Sequence, residues 1–234
     1  MSVEEQKRVA GRAAAALVES RMRVGLGSGS TAKYATVELG RRLSTGVVTD
    51  VAGIPTSEAT ATLAIQSGIP LTELDDRPID LAIDGADEIA PNLSLIKGAG
   101  GALLREKIVA AAARVFVVVA DASKLVDTLG VGMPVPIEIA PFGHRWTLAR
   151  LAEIGEVAIR RGGDGDPVVT DNGNLIADLK AGPISEPASL DRALASIPGV
   201  LATGLFYGMT TKALVADDST VHELRPEDTV DWRP

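Results

Sequence analysis

The residue best suited to move a proton is Glu106, in the segment KGAGGALLREK at residues 97–107. Its carboxylate stands one to two turns inside a helix predicted to start near Gly101. Lys97 precedes the glycines, where a long ammonium side chain could reach over the same cavity, and Gly98 helps to free the backbone there. The alternative is a solvated helix in which the letters REK are an ordinary run of charges.

A second group of candidates is the segment DGADE at residues 84–88, directly after the apolar run IDLAI. Asp84 and Asp87 flank a Gly-Ala pair that can bend sharply, so both carboxylates could point into one pocket. They could be solvated acids of a turn, ligands of a magnesium ion, or hydrogen-bonding groups for a polyhydroxylated substrate. The metal is disfavoured because no third carboxylate stands at ligand spacing and a lysine-bearing loop follows.

A third loop, GLGSGSTA at residues 25–32, has the composition of an anion site. Gly27 and Gly29 let the backbone turn tightly and present bare N–H groups, and a helix N-terminus adds its dipole. Three hydroxyl side chains stand among them: Ser28, Ser30 and Thr31. This arrangement suits one phosphate, although a plain tight turn capped by Ser30 is an equal alternative. A dinucleotide fingerprint fails because Ser30 occupies its third glycine position.

Other polar residues are weaker candidates. Lys124, in ADASK after the apolar run VFVVV, is a cation at the end of another predicted strand. His144 and His222 are more simply explained as ordinary polar residues, and neither is a candidate catalyst.

The loops are expected to share one setting, at one edge of a predicted sheet. Strands are predicted at residues 23–27, 47–55, 79–83 and 115–120, and helices at 3–19, 30–43, 57–67 and from about 101. Strand alternating with helix four times predicts a Rossmann-like, doubly wound α/β sheet over residues 1–128. Ligands of such sheets bind outside the carboxyl ends of the strands, which is where these loops fall.

The pattern then changes to that of a second, smaller domain at residues 129–205. Strands are predicted at 134–139, 156–161, 174–179 and 200–206, and helices at 143–154 and 187–196. This β-α-β-β-α-β order is that of a ferredoxin-like α+β domain, with an Asn-Gly turn signal ahead of its third strand. Two further strands, 212–216 and 220–224, are predicted to return to the first sheet, so that residues 206–234 complete the first domain.

Composition excludes several classes of protein. The net charge of the 234-residue chain is -8 and no Lys/Arg cluster forms a basic face, which argues against nucleic-acid binding. The absence of cysteine excludes disulfides, thiolate catalysis and cysteine zinc sites. The charged start is unlike a secretory signal and no apolar run reaches the ~18 residues of a membrane span, so no membrane partner and a cytoplasmic location are expected.

Taken together and in order, these motifs resemble ribose-5-phosphate isomerase of type A over nearly the whole chain. The resemblance rests on GLGSGSTA, PTSEAT (55–60), DGADE, KGAGGALLREK, ADASK and VTDNGN (169–174). It implies a Rossmann-like domain with a small α+β domain, a homodimer or homotetramer, a sugar-phosphate substrate, and neither cofactor nor metal. A mild departure is Ala99, where many members have another glycine.

The resemblance also implies roles for particular residues. The family's catalytic residues correspond here to Asp84, Asp87, Lys97 and Glu106. Its substrate-binding residues correspond to Lys7, Gly27, Ser28, Gly29, Ser30, Thr31, Gly98 and Lys124.

The chemistry of the candidate residues agrees with this expectation. Interconverting an aldose and a ketose moves a proton between C2 and C1 through an enediolate, and one carboxylate poised over both carbons can serve both halves. Lys97 and loop amides could stabilise the enediolate oxygen, and Asp84 or Asp87 could assist ring opening. Two other classes remain open: a sugar-phosphate-sensing regulatory domain, which could dispense with Glu106, and a coenzyme A transferase with a nucleophilic glutamate.

Overall fold

The computed structural model describes residues 1–226, and its largest element is a six-stranded sheet. From one edge to the other its strands are β2 (Ala52–Pro55), β1 (Arg23–Leu26), β3 (Leu81–Gly85), β6 (Phe116–Asp121), β12 (Lys212–Ala216) and β13 (Val221–Leu224). The first five are parallel and β13 is antiparallel to β12. The predicted return of the chain to the first sheet is therefore confirmed. Residues 227–234 of the predicted 206–234 segment lie outside the described part.

Helices cover both faces of this sheet, as the doubly wound prediction requires. They are α1 (Val3–Ala15), α2 (Ala32–Ser44), α3 (Glu58–Gln66) and α4 (Leu103–Ala112). Side chains along β6 point alternately to the two faces of the sheet and so belong to two hydrophobic cores. Val117 and Val119 pack with α1 and α2, while Phe116 and Val118 pack with α4. Burying each such side chain contributes about 1.5–3 kcal/mol to the folding free energy. Burial on both faces of the sheet explains the continuous apolar sequence of β6.

The strand order creates a crevice at a defined place. The chain passes from β1 outward to β2 and then returns to the other side of β1 as β3. The loops that leave β1 and β3 therefore diverge at a topological switch point, where ligands of open α/β sheets bind. These two loops are GLGSGSTA and DGADE.

A second sheet has the ferredoxin-like order that the sequence predicts. Its strands, in spatial order, are β10 (Val200–Thr203), β7 (Val135–Ile139), β9 (Leu175–Lys180) and β8 (Glu156–Ile159), all antiparallel. Two helices connect them: α5 (His144–Leu151) and α6 (Pro187–Ala195). The Asn-Gly turn forms, but it closes only an isolated bridge between Val169 and Leu175, because β9 pairs with β8.

A small third sheet joins the other two and was not predicted. It consists of β4 (Glu88–Ile89), β5 (Leu95–Ile96) and β11 (Leu205–Phe206). The predicted strand 200–206 is divided because Gly204 passes so close to neighbouring backbone that an added Cβ would lie 2.2 Å from the Lys97 carbonyl oxygen. β11 therefore leaves β7 and pairs with β5, the strand that leads into the lysine loop.

Several predicted element boundaries are wrong, among them the following three. The strand predicted at 47–55 is confined to β2, because Asp50 has a left-handed φ of 57° that interrupts extended backbone. The helix predicted at 3–19 ends at Ala15, whose carbonyl accepts from the Arg42 guanidinium. Helix α4 begins at Leu103, so Glu106 lies in its first turn and not one to two turns inside. No helix within residues 1–226 combines the length and apolar character that crossing a membrane requires.

Candidate active site

A buried ion cluster joins the ends of β3 and β5 to the first turn of α4. Lys97 Nζ lies 3.1 Å from Asp84 Oδ2 and 3.3 Å from Glu106 Oε2, and it donates to the Gly85 carbonyl at 2.6 Å. The exposed fractions of Lys97, Asp84 and Glu106 are 2%, 3% and 5%. One ammonium thus faces two carboxylates away from water. The interpretation of REK as a solvated charge run is wrong for Glu106.

The two carboxylates hold their protons unusually tightly. Burial, together with the charge of Asp84, raises the pKa of Glu106 to about 8, although Lys97 acts in the opposite direction. Burial likewise raises the pKa of Asp84. Burial alone would lower the pKa of Lys97, but Asp84 and Glu106 outweigh it and the pKa lies above its usual value. The site therefore keeps a permanent cation beside a carboxyl group that titrates near neutral pH.

Of the two buried carboxylates in this cluster, Glu106 is the one that lines a cavity. Its Oε2 atom is buried and, apart from the ion pair with Lys97 Nζ at 3.3 Å, has no hydrogen-bond donor among residues 1–226. The cavity, of about 90 Å³, is lined by Glu106, Lys97, Asp87, Lys124 and the loops around them. A buried carboxylate that lines a cavity and has few donors around it is placed to accept a proton.

The loop between β5 and α4 forms one wall of the cavity. Gly98 and Gly101 have φ values of 107° and 84°, which only glycine adopts without strain, and the Gly101 N–H donates to the Gly98 carbonyl. Asp87 Oδ2 accepts the Ala99 N–H at 2.9 Å. Asp87 thus belongs both to the cavity lining and to the support of the glycine loop.

The glycine-serine loop after β1 forms the opposite wall. Gly29, Ser30 and Thr31 line the cavity together with Lys124, which extends from the short 3-10 helix Ala122–Lys124 after β6. Thr31 is the N-cap of α2, yet its side chain makes no capping hydrogen bond. The first N–H groups of the helix and these hydroxyls are therefore close to one cation, which is a suitable arrangement for an anion.

Three of the predicted site residues do not line this cavity. Asp84 lies behind Lys97, Lys7 is a half-buried residue of α1, and Gly27 packs against Asp84. A Cβ on Gly27 would lie 2.3 Å from the Asp84 carboxyl group, so this glycine serves close packing of β1 on β3.

Ser28 lines the cavity, but its polar groups are occupied elsewhere. Its N–H donates to Asp84 Oδ1 at 3.1 Å. Its Oγ lies 2.8 Å from Thr56 Oγ1, 2.7 Å from Ser57 Oγ and 3.1 Å from Thr60 Oγ1. Sequence reasoning did not anticipate this hydroxyl cluster, although the segment PTSEAT, which supplies three of its members, ends at the same sheet edge.

The flanking residues of Glu106 both reach the second sheet's domain. Arg105 Nε donates to Asn172 Oδ1 at 2.9 Å, and its Nη1 pairs with Glu58 at 2.8 Å. Lys107 Nζ donates to the Leu205 carbonyl at 3.0 Å and pairs with Asp191 at 3.4 Å. Within residues 1–226 no group of three or more Asp, Glu, His or Cys side chains is arranged to hold a metal ion.

Comparison with known proteins places this geometry in a family. The family profile of ribose 5-phosphate isomerase A (phosphoriboisomerase A) matches residues 52–220. The ribose-5-phosphate isomerase A of Deinococcus radiodurans is 49% identical over 224 residues, 96% of this chain and 99% of the relative. The chain belongs to the ribose-5-phosphate isomerase A family.

Solved structures of the ribose-5-phosphate isomerase A family have the same fold. The Methanocaldococcus jannaschii enzyme superposes with a TM-score of 0.92 at 42% identity, covering 96% of this chain and all of that one. A second D-ribose-5-phosphate isomerase, in complex with phospho-erythronic acid, superposes with a TM-score of 0.93, also at 42% identity and with the same coverage. The Rossmann-like sheet with its smaller ferredoxin-like companion is thus the family fold.

Proposed function

We propose that this protein interconverts ribose 5-phosphate and ribulose 5-phosphate through an enediolate, with Glu106 moving the proton between C2 and C1. The names of its relatives support the substrate. The observation that carries the mechanism is the buried Glu106 carboxylate, which lines the cavity and has Lys97 Nζ 3.3 Å from its Oε2 atom. This pairing favours proton abstraction next to a carbonyl, since the base and the charge that stabilises the product anion are adjacent.

Glu106 suits both halves of the transfer. A base works best when its pKa is close to the working pH, and burial raises the pKa of Glu106 to about 8. A proton taken from C2 can therefore be returned to C1 without a large energetic penalty in either direction. General acid–base catalysis of this kind contributes roughly 10²–10⁴-fold to the rate.

Lys97 stabilises the negative charge that develops on the enediolate oxygen. Its ammonium is buried, and the neighbouring carboxylates keep its pKa above the usual value, so it stays charged at neutral pH. A charge held in place in a dry site acts more strongly than one in water and needs no reorganisation during the reaction.

The two aspartates take different roles. Asp87 lines the cavity and can hydrogen-bond to a sugar, which supports it as the group that assists ring opening. Asp84 is 3% exposed and contacts Lys97, Ser28 and Gly85 instead. Its role is to hold Lys97 in place and charged.

The phosphate of the substrate binds between the start of α2 and Lys124. Gly29, Ser30 and Thr31 supply N–H and hydroxyl groups there, and Lys124 supplies a cation. Ser28 contributes by fixing the loop, because its own donors are engaged. Lys7, which the family resemblance assigns to phosphate binding, keeps that role as a prediction.

Several features of the whole protein remain predictions from the sequence. These are the division into domains at residues 1–128 plus 206–234 and at residues 129–205, assembly as a homodimer or homotetramer, a cytoplasmic location, and activity without cofactor or metal.

The test is an isomerase assay on the pure protein in excess EDTA. The parent should convert ribose 5-phosphate to the ketose, and Glu106→Gln should fold and bind substrate nearly as well while its turnover falls roughly 10²-fold or more. Glutamine keeps the shape of glutamate but cannot accept a proton from carbon. Asp84→Asn and Asp87→Asn, measured in parallel, are the matched comparisons.

Two outcomes would contradict the assignment. The first is that Glu106→Gln keeps more than about a tenth of parental turnover, a barrier change below ~1.4 kcal/mol. Alternatively, an Asp→Asn change could abolish exchange of the C2 proton with solvent while Glu106→Gln leaves it intact. Activity that vanished with EDTA and returned with Mg²⁺ would instead assign the aspartates to a metal.

A further inference from the structure

An arginine from the second sheet's domain reaches across to the glycine loop of the active site. Arg160 follows β8 and donates from Nη1 to the Gly98 carbonyl at 2.9 Å and to the Ala99 carbonyl at 2.8 Å. The rest of its guanidinium is held by Asp178 of β9, which pairs with both Nε and Nη2. The sequence separation from the loop is about 60 residues, and no motif marks this arginine.

The contact fixes the orientation of two consecutive peptide groups. A trans peptide directs its C=O and the following N–H to opposite sides, and residues 1–226 contain no cis peptide bond. Because the Ala99 carbonyl faces Arg160, the Gly100 N–H points away from it. Gly100 lines the cavity together with Gly98 and Glu106, and its N–H donates to no acceptor within the described residues.

The loop needs such an external support. Gly98, Gly100 and Gly101 give its backbone more conformational freedom than any other residue type would, and ordering it costs about 1–2 kcal/mol per residue. From the segment after β3, the Gly98–Gly101 backbone makes one hydrogen bond within residues 1–226, which the Ala99 N–H donates to Asp87 Oδ2. Arg160 adds two charge-assisted hydrogen bonds from the opposite side, and its bidentate pairing with Asp178 holds the guanidinium rigid.

We propose that Arg160 is a positioning residue for the isomerisation: it holds the Gly98–Gly100 backbone in the conformation that the enediolate requires. This inference rests on the proposed function of the Glu106 site and gives the smaller domain a part in catalysis. Arg160 does not line the cavity, so it acts through the loop and not on the substrate.

The test separates positioning from folding by its choice of variants. Arg160→Met removes the guanidinium and keeps an unbranched chain. Arg160→Lys keeps the charge without the fork, and Asp178→Asn weakens the hold on Arg160. The matched control is Arg161→Met, because the neighbouring Arg161 is exposed and its side chain donates only to the Gly165 carbonyl within residues 1–226.

Each variant is compared for kcat, KM, thermal midpoint and affinity for two probes, inorganic phosphate and 4-phospho-erythronate. Arg160→Met should lower kcat by roughly 10- to 100-fold, the scale of a misplacement near 1 Å, and weaken 4-phospho-erythronate binding in parallel. KM for ribose 5-phosphate and the affinity for inorganic phosphate should stay within about twofold, because the phosphate loop is on the other wall. For Arg160→Lys and Asp178→Asn, kcat and the affinity for 4-phospho-erythronate should be intermediate between those of Arg160→Met and the control.

The inference is overturned if Arg160→Met retains kcat within about twofold of Arg161→Met. It is equally overturned if phosphate and 4-phospho-erythronate affinities fall together, which would indicate general loss of structure. Should Arg160→Met fail to fold, the same criteria apply to Arg160→Lys and Asp178→Asn. A parent protein that does not act on ribose 5-phosphate would refute the proposed function, whereas the two binding measurements would still test Arg160.

Discussion

At the scale of single residues, the site depends on removing charged groups from water. Glu106 would have an ordinary carboxyl pKa on a helix surface, and a proton held so weakly could not be returned efficiently to carbon. Burial raises the pKa of Glu106, and Lys97 prevents it from rising further. The reactivity of the glutamate is therefore a property of its surroundings.

This environment predicts the pH dependence of the enzyme. Only ionised Glu106 can accept the C2 proton, and its pKa in the free protein is about 8. Activity should consequently increase with pH, and kcat/KM should rise about tenfold between pH 7 and pH 9. Measuring above pH 7 avoids the ionisation of the substrate phosphate, whose pKa is about 6.

The residual activity of Glu106→Gln is the control for this profile. Without the titrating carboxyl group, its kcat/KM should change little over the same range. A parental profile that is flat from pH 7 to pH 9 would show that Glu106 is already ionised at neutral pH.

At the scale of elements, the active site is the meeting of two strand ends. β1 and β3 are neighbours, and the loop after each turns away in a different direction at the switch point. Asp84 accepts N–H groups from Ser28 and from Gly85, so it ties the two loops together before it contacts Lys97. Gly27 permits this close approach because it has no side chain.

The Gly27→Ala change should therefore damage the site from within the sheet. A new Cβ would lie 2.3 Å from the Asp84 carboxyl group, which must move and take Lys97 with it. We expect a stability loss of about 1–3 kcal/mol, typical of overpacking, together with a lower kcat/KM. Urea unfolding and steady-state kinetics measure the two effects.

Gly163→Ala is the matched control, since a Cβ there would meet no atom within 4 Å. Its stability and kinetics should equal those of the parent within error. If Gly27→Ala also matched the parent, the inference that Gly27 must pack tightly against Asp84 would be refuted.

At the scale of the whole molecule, α4 is attached to both sheets. Its inner face packs in the core of the six-stranded sheet, while Lys107 reaches Asp191 of α6. Asp191 also accepts from Thr203 and Tyr207, so the pair is part of a larger polar cluster. Burial lowers the pKa of Lys107, and Asp191 opposes that shift.

A double-mutant cycle should reveal this connection. Lys107→Met and Asp191→Asn each remove one partner of a largely buried pair and should each cost about 1–3 kcal/mol of unfolding free energy. The double variant should lose less than the sum, with a coupling of about 0.5–3 kcal/mol. Urea denaturation of the four proteins gives the coupling directly.

The exposed pair Lys180–Glu156, between β9 and β8 of the four-stranded sheet, provides the comparison. Its cycle should give a coupling no larger than about 1 kcal/mol, because solvent screens both charges. Strict additivity of Lys107→Met and Asp191→Asn would mean that α4 and α6 are not linked through this pair.

Much of the fold follows from local sequence. The apolar runs of β3 and β6 are buried on both faces, and such strands are recognisable without knowing their neighbours. Once the strands are parallel, the loops after β1, β3 and β6 must share one edge of the sheet. For this reason the glycine-serine loop, the two aspartates and Lys124 could be assigned to one site before any contact was known, whereas the Gly98–Gly101 loop follows β5 of the third sheet.

Errors arose where a single backbone angle or a close approach overrides the pattern. The segment VVTDV has strand composition, but Asp50 adopts φ 57° and extended structure begins only at Ala52. The segment 200–206 has a continuous strand pattern, yet Gly204 divides it where the Lys97 carbonyl approaches. Composition averages over a segment and is insensitive to such points.

The sequence by itself thus determined the two sheets, their order along the chain and the edge at which chemistry takes place. Only the tertiary structure decided that Glu106 lines the cavity while its neighbours Arg105 and Lys107 do not. It also decided that the Ser28 N–H donates to Asp84. It alone joined Arg160 to the loop of Gly98 and Ala99. The physical reason is that burial, pKa and ion pairing depend on residues that are distant in sequence, whose proximity exists only after the two sheets have packed together.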